Sequence, residues 1–114
     1  MKPMDHLALR IRLTLYTESD PSHGTFGKGV AVLLRGVETL GSLNASAKSI
    51  KMAYSKAWRL VKESEQGLGF DLIDRRGAKG STLTAEGQKL LAAYERMEKD
   101  SNNYLVSRFQ KMLS

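Results

Sequence analysis

Between Gly41 and Thr84 the order of residues leaves few folds open. Ser42 precedes a short helical stretch whose Leu43, Ala47 and Ile50 recur at inward-facing spacing, and the small residues Ala45, Ser46 and Ala47 are expected to let the next helix cross closely. Lys51-Met52-Ala53 then makes a tight turn anchored by Met52. A second helix is predicted from about Ser55 to Gln66, with Ala57, Trp58 and Val61 toward the core and Leu60 at its flank. Leu68-Gly69-Phe70 ends that helix and is expected to bury Phe70. A strand from Asp71 to Arg75 follows, then the glycine-punctuated tip Arg76-Gly77-Ala78-Lys79-Gly80-Ser81, and Thr82-Leu83 returns. Two short helices at a tight turn followed by a small hairpin make a winged helix-turn-helix, which sets one helix in the major groove of DNA.

Charge agrees with a polyanionic partner. The chain carries 18 basic and 12 acidic side chains, a net charge of +6. Residues 42–83 hold eight of the basic groups (Lys48, Lys51, Lys56, Arg59, Lys62, Arg75, Arg76, Lys79) against four acidic ones. The segments before and after are nearly balanced, so most of the excess lies in the central unit. Arg and Lys can donate to guanine O6 and N7 or clamp phosphates, and Ser and Tyr hydroxyls suit phosphate oxygens. Candidate DNA contacts are therefore Ser42, Tyr54, Ser55, Lys56, Arg59 and Lys62 on the helices, with Arg76, Lys79, Ser81 and Thr82 on the hairpin.

The flanks read as scaffold. From His6 to Tyr16 the chain alternates, Leu7, Leu9, Ile11, Leu13 and Leu15 on one face and Ala8, Arg10, Arg12 and Thr14 on the other, which predicts a half-buried strand. Such a strand needs a partner, either the hairpin or the same strand of a second subunit. Glu18 to Gly27 is turn material. Val30, Leu33, Leu34, Val37 and Leu40 have amphipathic-helix spacing, with Gly41 as C-cap. Thr84 can cap a last helix whose Leu90, Leu91, Tyr94 and Met97 form an apolar face. Asp100-Ser101-Asn102-Asn103 suggests a bend before Tyr104, Leu105, Phe109 and Met112 resume the pattern. An apolar helix this long favours contact with a second subunit.

Several classes are disfavoured. Gly24-Thr25-Phe26-Gly27-Lys28-Gly29 lacks the spacing and the hydroxyl of a nucleotide-phosphate loop. There is no cysteine, and His6 and His23 alone cannot build a metal cage, so no cofactor or metal is expected. No nucleophile–base spacing suggests an enzyme. No run approaches the roughly 18 apolar residues of a membrane span and no signal peptide is visible, so a cytoplasmic location is expected.

Gly41-Ser42-Leu43, Ala47-Lys48, Met52, Tyr54-Ser55-Lys56-Ala57-Trp58, Gly69-Phe70, Leu83-Thr84 and Glu86-Gly87 resemble the N-terminal DNA-binding domain of the ModE molybdate-responsive regulators, itself related to the LysR-type winged helix. The resemblance covers roughly residues 7–97. It implies a dimeric winged-helix repressor or activator, with Ser55, Lys56 and Arg59 on the recognition helix and Lys79 at the wing. The sequence departs from that pattern at Lys51, where a turn glycine is common, and in its shortened wing Gly77-Ala78-Lys79-Gly80-Ser81. A left-handed Lys51 would cost about 1 kcal/mol. With the last residue at Ser114, no molybdate-binding segment is expected.

The expected architecture is thus α+β, mainly α: one winged helix-turn-helix domain over 1–114, with an N-terminal strand and a long C-terminal helix. The helix-turn-helix takes about 42–66, the wing about 71–83 and a dimerisation helix about 84–113. The expected partners are double-stranded DNA and a second copy of the chain, with no membrane, and a separate effector or sensor protein is left open. The alternative function is a protein-interaction module on the same scaffold.

Overall fold

The computed structural model describes residues 4–21, 24–75 and 80–114. Its elements in chain order are α1 (Lys28–Leu40), α2 (Leu43–Ser49), α3 (Tyr54–Leu68), β1 (Ile73–Arg75), β2 (Ser81–Leu83) and α4 (Ala85–Leu113). The strands pair antiparallel, with Ile73 opposite Leu83 and Arg75 opposite Ser81. The result is a mainly helical winged helix-turn-helix.

The core forms where the apolar stripe of α1 meets the others. Leu33, Leu34 and Val37 are sealed against Leu43 and Ala47 of α2, Ala57 and Val61 of α3, Leu83 of β2, and Leu91 and Tyr94 of α4. Small residues let α1 and α2 approach. A Cβ on Gly36 would lie 2.0 Å from Ser46 Oγ, and that hydroxyl donates to Leu33 O at 2.8 Å. The close approach expected of the following helix is thus made by the preceding one, with Ser46 of α2 against Gly36 and Leu33 of α1. Phe26 is also buried, its ring edge-on to Tyr94 at 5.2 Å between centroids.

Caps end the helices where the sequence suggests. Gly41 takes the left-handed conformation after α1, and Ser42 Oγ accepts the Ala45 N–H to start α2. Thr84 Oγ1 accepts the Gly87 N–H at 2.9 Å while its hydroxyl donates to Asp71 O at 2.7 Å, tying the hairpin to α4.

The N-terminal stretch differs from expectation. Its alternation survives, with Leu9, Ile11 and Leu13 less exposed than Arg10, Arg12 and Thr14. Among the described residues, however, no ladder forms on it: Leu15 and Phe26 make an isolated bridge, and Leu13 O instead accepts the Tyr94 hydroxyl at 2.7 Å. The stretch is thus tied to α4 by that hydrogen bond, and Leu13 packs against the core, in place of a sheet. Leu7 and Leu15 remain exposed.

The bend predicted at residues 100–103 is absent, because α4 runs unbroken for 29 residues, roughly 43 Å. Asp, Ser and Asn each lower helix propensity by only a fraction of a kcal/mol, unlike proline. Arg96 also pairs with Asp100 at 3.1 Å across one turn. Upstream, Lys28 binds Glu98 and Arg35 grips Glu95 through two nitrogens, fastening α1 to α4. Glu95 raises the pKa of Arg35 above its usual value. Among the described residues, no helix is long and apolar enough to cross a membrane.

Candidate nucleic-acid interface

The turn that joins α2 to α3 carries the geometry that presents α3. Lys51 has φ 57°, the left-handed conformation the sequence demanded of a turn glycine. Its N–H donates to Lys48 O at 3.1 Å, and the Met52 N–H donates to Ala47 O at 2.9 Å. These two bonds form a Schellman motif, which satisfies the last carbonyls of α2 and reverses the chain. Met52 is half-buried against the core, as an anchor should be.

Beyond this turn, Ala57, Val61 and Ser64 define the inward stripe of α3. The opposite side presents Ser55, Lys56 and Arg59, all exposed, with Tyr54 exposed at the helix start. Arg59 faces Glu63 at 3.9 Å one turn on, a loose surface pair that a phosphate or base can displace. Lys62 differs. Its ammonium lies 5.7 Å from the Trp58 ring centroid and 3.5 Å from Glu65 Oε1. Its charge is therefore paired within the chain at the edge of the exposed face.

Glu65 is buried, and its Oε2 accepts the N–H groups of Leu72 at 2.7 Å and Ile73 at 3.2 Å. A carboxylate on α3 thus holds the first strand of the wing. The second strand is held from the other side: the Ser81 N–H donates to Gly41 O at 3.1 Å. Gly80 has φ 87°, and a Cβ there would lie 2.5 Å from Gly41 O. The wing root is therefore seated on the α1–α2 junction, beside Ser42. Ser81 is half-buried and Thr82 exposed.

The structure brings Tyr54, Ser55, Lys56 and Arg59 together on α3, and places Ser42 beside the wing root at Ser81 and Thr82. Ser42 spends its oxygen on the α2 cap. Arg76 and Lys79 lie outside the described residues, as does His23. Three expectations are corrected. Trp58 is 42% exposed rather than in the core, because Ala57, Val61 and Ser64 already fill the inward stripe. Ile50 is exposed because α2 ends at Ser49 and Met52 takes the inward place. Phe70 also remains exposed, following the left-handed Gly69 cap. Two contributors were not visible as site residues, Glu65 and Trp58. The clue for Glu65 was its position one turn beyond Val61, on the inward side of an otherwise charged run.

Over residues 31–88, just over half of the chain, the sequence matches the family described as bacterial regulatory helix-turn-helix protein, lysR family. The molybdenum-pterin-binding protein MopB of Rhodobacter capsulatus is 30% identical over 86 residues, which are 72% of this chain and 32% of MopB. The chain thus spans about a third of that relative. Among solved structures, the CbnR DNA-binding domain in complex with DNA is similar at TM-score 0.61 and 22% identity, over 75% of this chain and 95% of that one. The BenM DNA-binding domain in complex with benA site 1 DNA is similar at TM-score 0.58 and 19% identity, over 75% and 93%. At these identities the likeness concerns the fold.

Proposed function

The chain belongs to the lysR family of bacterial regulatory helix-turn-helix proteins, and on that premise we propose that it regulates transcription by setting α3 in the major groove of double-stranded DNA. The observation that carries this is the exposed Ser55, Lys56 and Arg59 on the helix delivered by the Lys51 turn. Arg59 would reach base edges or clamp a phosphate, Lys56 and Tyr54 would engage the backbone, and Ser55 would serve either. Ser42, Ser81 and Thr82 would meet the flanking phosphates, with Arg76 and Lys79 at the wing. Lys62 would help to position the wing through Glu65 more than it contacts DNA. DNA as a target places its action in the cytoplasm.

The same proposal extends to a dimer through α4. Met97, Tyr104, Leu105 and Met112 are exposed along this helix, Met97 by 58% and Tyr104 by 65%. Apolar surface of this kind favours a protein partner. A two-fold pair would present recognition helices to half-sites about 34 Å apart.

Replacing Lys56, Arg59 and Lys79 together by alanine tests the groove assignment. DNA affinity should fall, and the slope of affinity against salt should become shallower by about one unit per lost phosphate contact. Unchanged affinity and slope would refute the assignment and favour the protein-interaction alternative.

A further inference from the structure

We propose that Trp58 is a specificity residue of the DNA-reading face and that its exposed indole recognises the 5-methyl group of a thymine; this rests on α3 being the helix bound in the major groove. Position is the first ground. Trp58 is the fifth residue of α3, in the N-terminal half where a recognition helix meets base edges. With Ser55, Arg59 and Lys62 it follows the i, i+3, i+4, i+7 spacing that keeps side chains on one helix face.

Order is the second ground. The Lys62 ammonium lies over the indole, 5.7 Å from its centroid, within cation–π range. The same ammonium is 3.5 Å from Oε1 of the buried Glu65, whose other oxygen is fixed by the Leu72 and Ile73 amides. A chain of contacts therefore runs from the wing strand to the indole and stations the ring before any DNA arrives. A side chain already ordered loses little freedom on binding.

Chemistry supplies the third. Ser55 and Arg59 offer polar groups, whereas Trp58 offers a large aromatic ring on a residue that is 42% exposed. In the major groove the apolar feature of a base edge is the thymine methyl, and apolar side chains read it by contact.

The test begins by enriching duplexes that bind the protein from a random pool. The selected site is then made with deoxyuridine at every thymine, which removes only the methyl groups. Labelled thymine, uracil and random duplexes are titrated with the native protein and with W58A, the fold of each checked by circular dichroism. Emission of Trp58, the only tryptophan in the chain, is followed in parallel with the native protein. The native protein should bind the uracil site about tenfold more weakly than the thymine site, and W58A should show little difference between them. Emission should change on the selected site and much less on random duplex. Equal binding of both sites by the native protein, the same thymine preference in W58A, or emission unmoved by saturating site would overturn the proposal. If W58A does not fold, the native protein's methyl dependence and emission decide together. Binding to no duplex would instead defeat the groove assignment, a distinct failure read from the DNA label alone.

Discussion

Glu65 on α3 accepts the Leu72 N–H at 2.7 Å from within the fold, so the recognition helix and the wing strand are joined by a buried carboxylate. The same Oε2 takes the Ile73 N–H, and Oε1 faces Lys62. Glu65→Ala would leave the two buried amides of Leu72 and Ile73 without their acceptor. Destabilisation of about 2–4 kcal/mol is expected by urea unfolding, with a smaller loss for Glu65→Gln, which keeps one acceptor oxygen. Equal losses in both variants would show that packing, rather than the carboxylate, joins helix to wing.

Lys51 holds φ 57° at the end of α2. Glycine relieves the left-handed strain of about 1 kcal/mol but adds freedom to the unfolded chain. Lys51→Gly should therefore stabilise the protein by a few tenths of a kcal/mol, whereas Lys51→Val, branched at Cβ, should destabilise it. Thermal unfolding in which valine melts no lower than lysine would mean that the turn is not held left-handed in solution.

Tyr94 joins the N-terminal stretch to α4 through Leu13 O. Burial, then the Glu98 carboxylate, raises its phenol above the ordinary 10.0, with Arg12 opposing. Because the folded pKa exceeds the unfolded one, the stability it contributes is complete below about pH 10 and is lost as pH rises through the folded value. Tyr94→Phe should cost about 1 kcal/mol at neutral pH and flatten the alkaline decline. An alkaline stability profile with the same slope in both proteins would contradict this placement of the phenol.

Met97 and Tyr104 are two of the exposed apolar side chains of α4 through which a second copy would bind. Replacing both by glutamate should yield a monomer by sedimentation while the helix content is kept. A native protein that is already monomeric at high concentration would remove the dimer from the account.

Local chemistry was the most legible part of this sequence. Gly41, Ser42 and Thr84 announce caps whose effect is confined to one turn, and Lys51 announced its own strain because the hydrogen bonds of α2 dictate its backbone. Features that depend on which surface faces which were less legible. Trp58 reads as core by composition, yet it lies about a quarter turn from the Ala57–Val61 stripe. Phe26, in a glycine-flanked loop, is buried because Tyr94 arrives from far along the chain. The N-terminal alternation was correct as a pattern, but period two names a face without naming its partner. In the candidate site, the exposed residues of α3 followed from helical spacing, whereas the pairing of Lys62 with Glu65 depends on the wing's position.

The central claim is that α3 and the wing form a surface for duplex DNA, and a titration of labelled duplex at two salt concentrations tests it most directly. Duplex enriched from a random pool and unselected duplex are compared at roughly 50 and 200 mM salt. The account predicts binding to both at low salt, a steep loss at the higher salt, and a growing preference for the enriched site. Absence of binding to either duplex at low salt would contradict it.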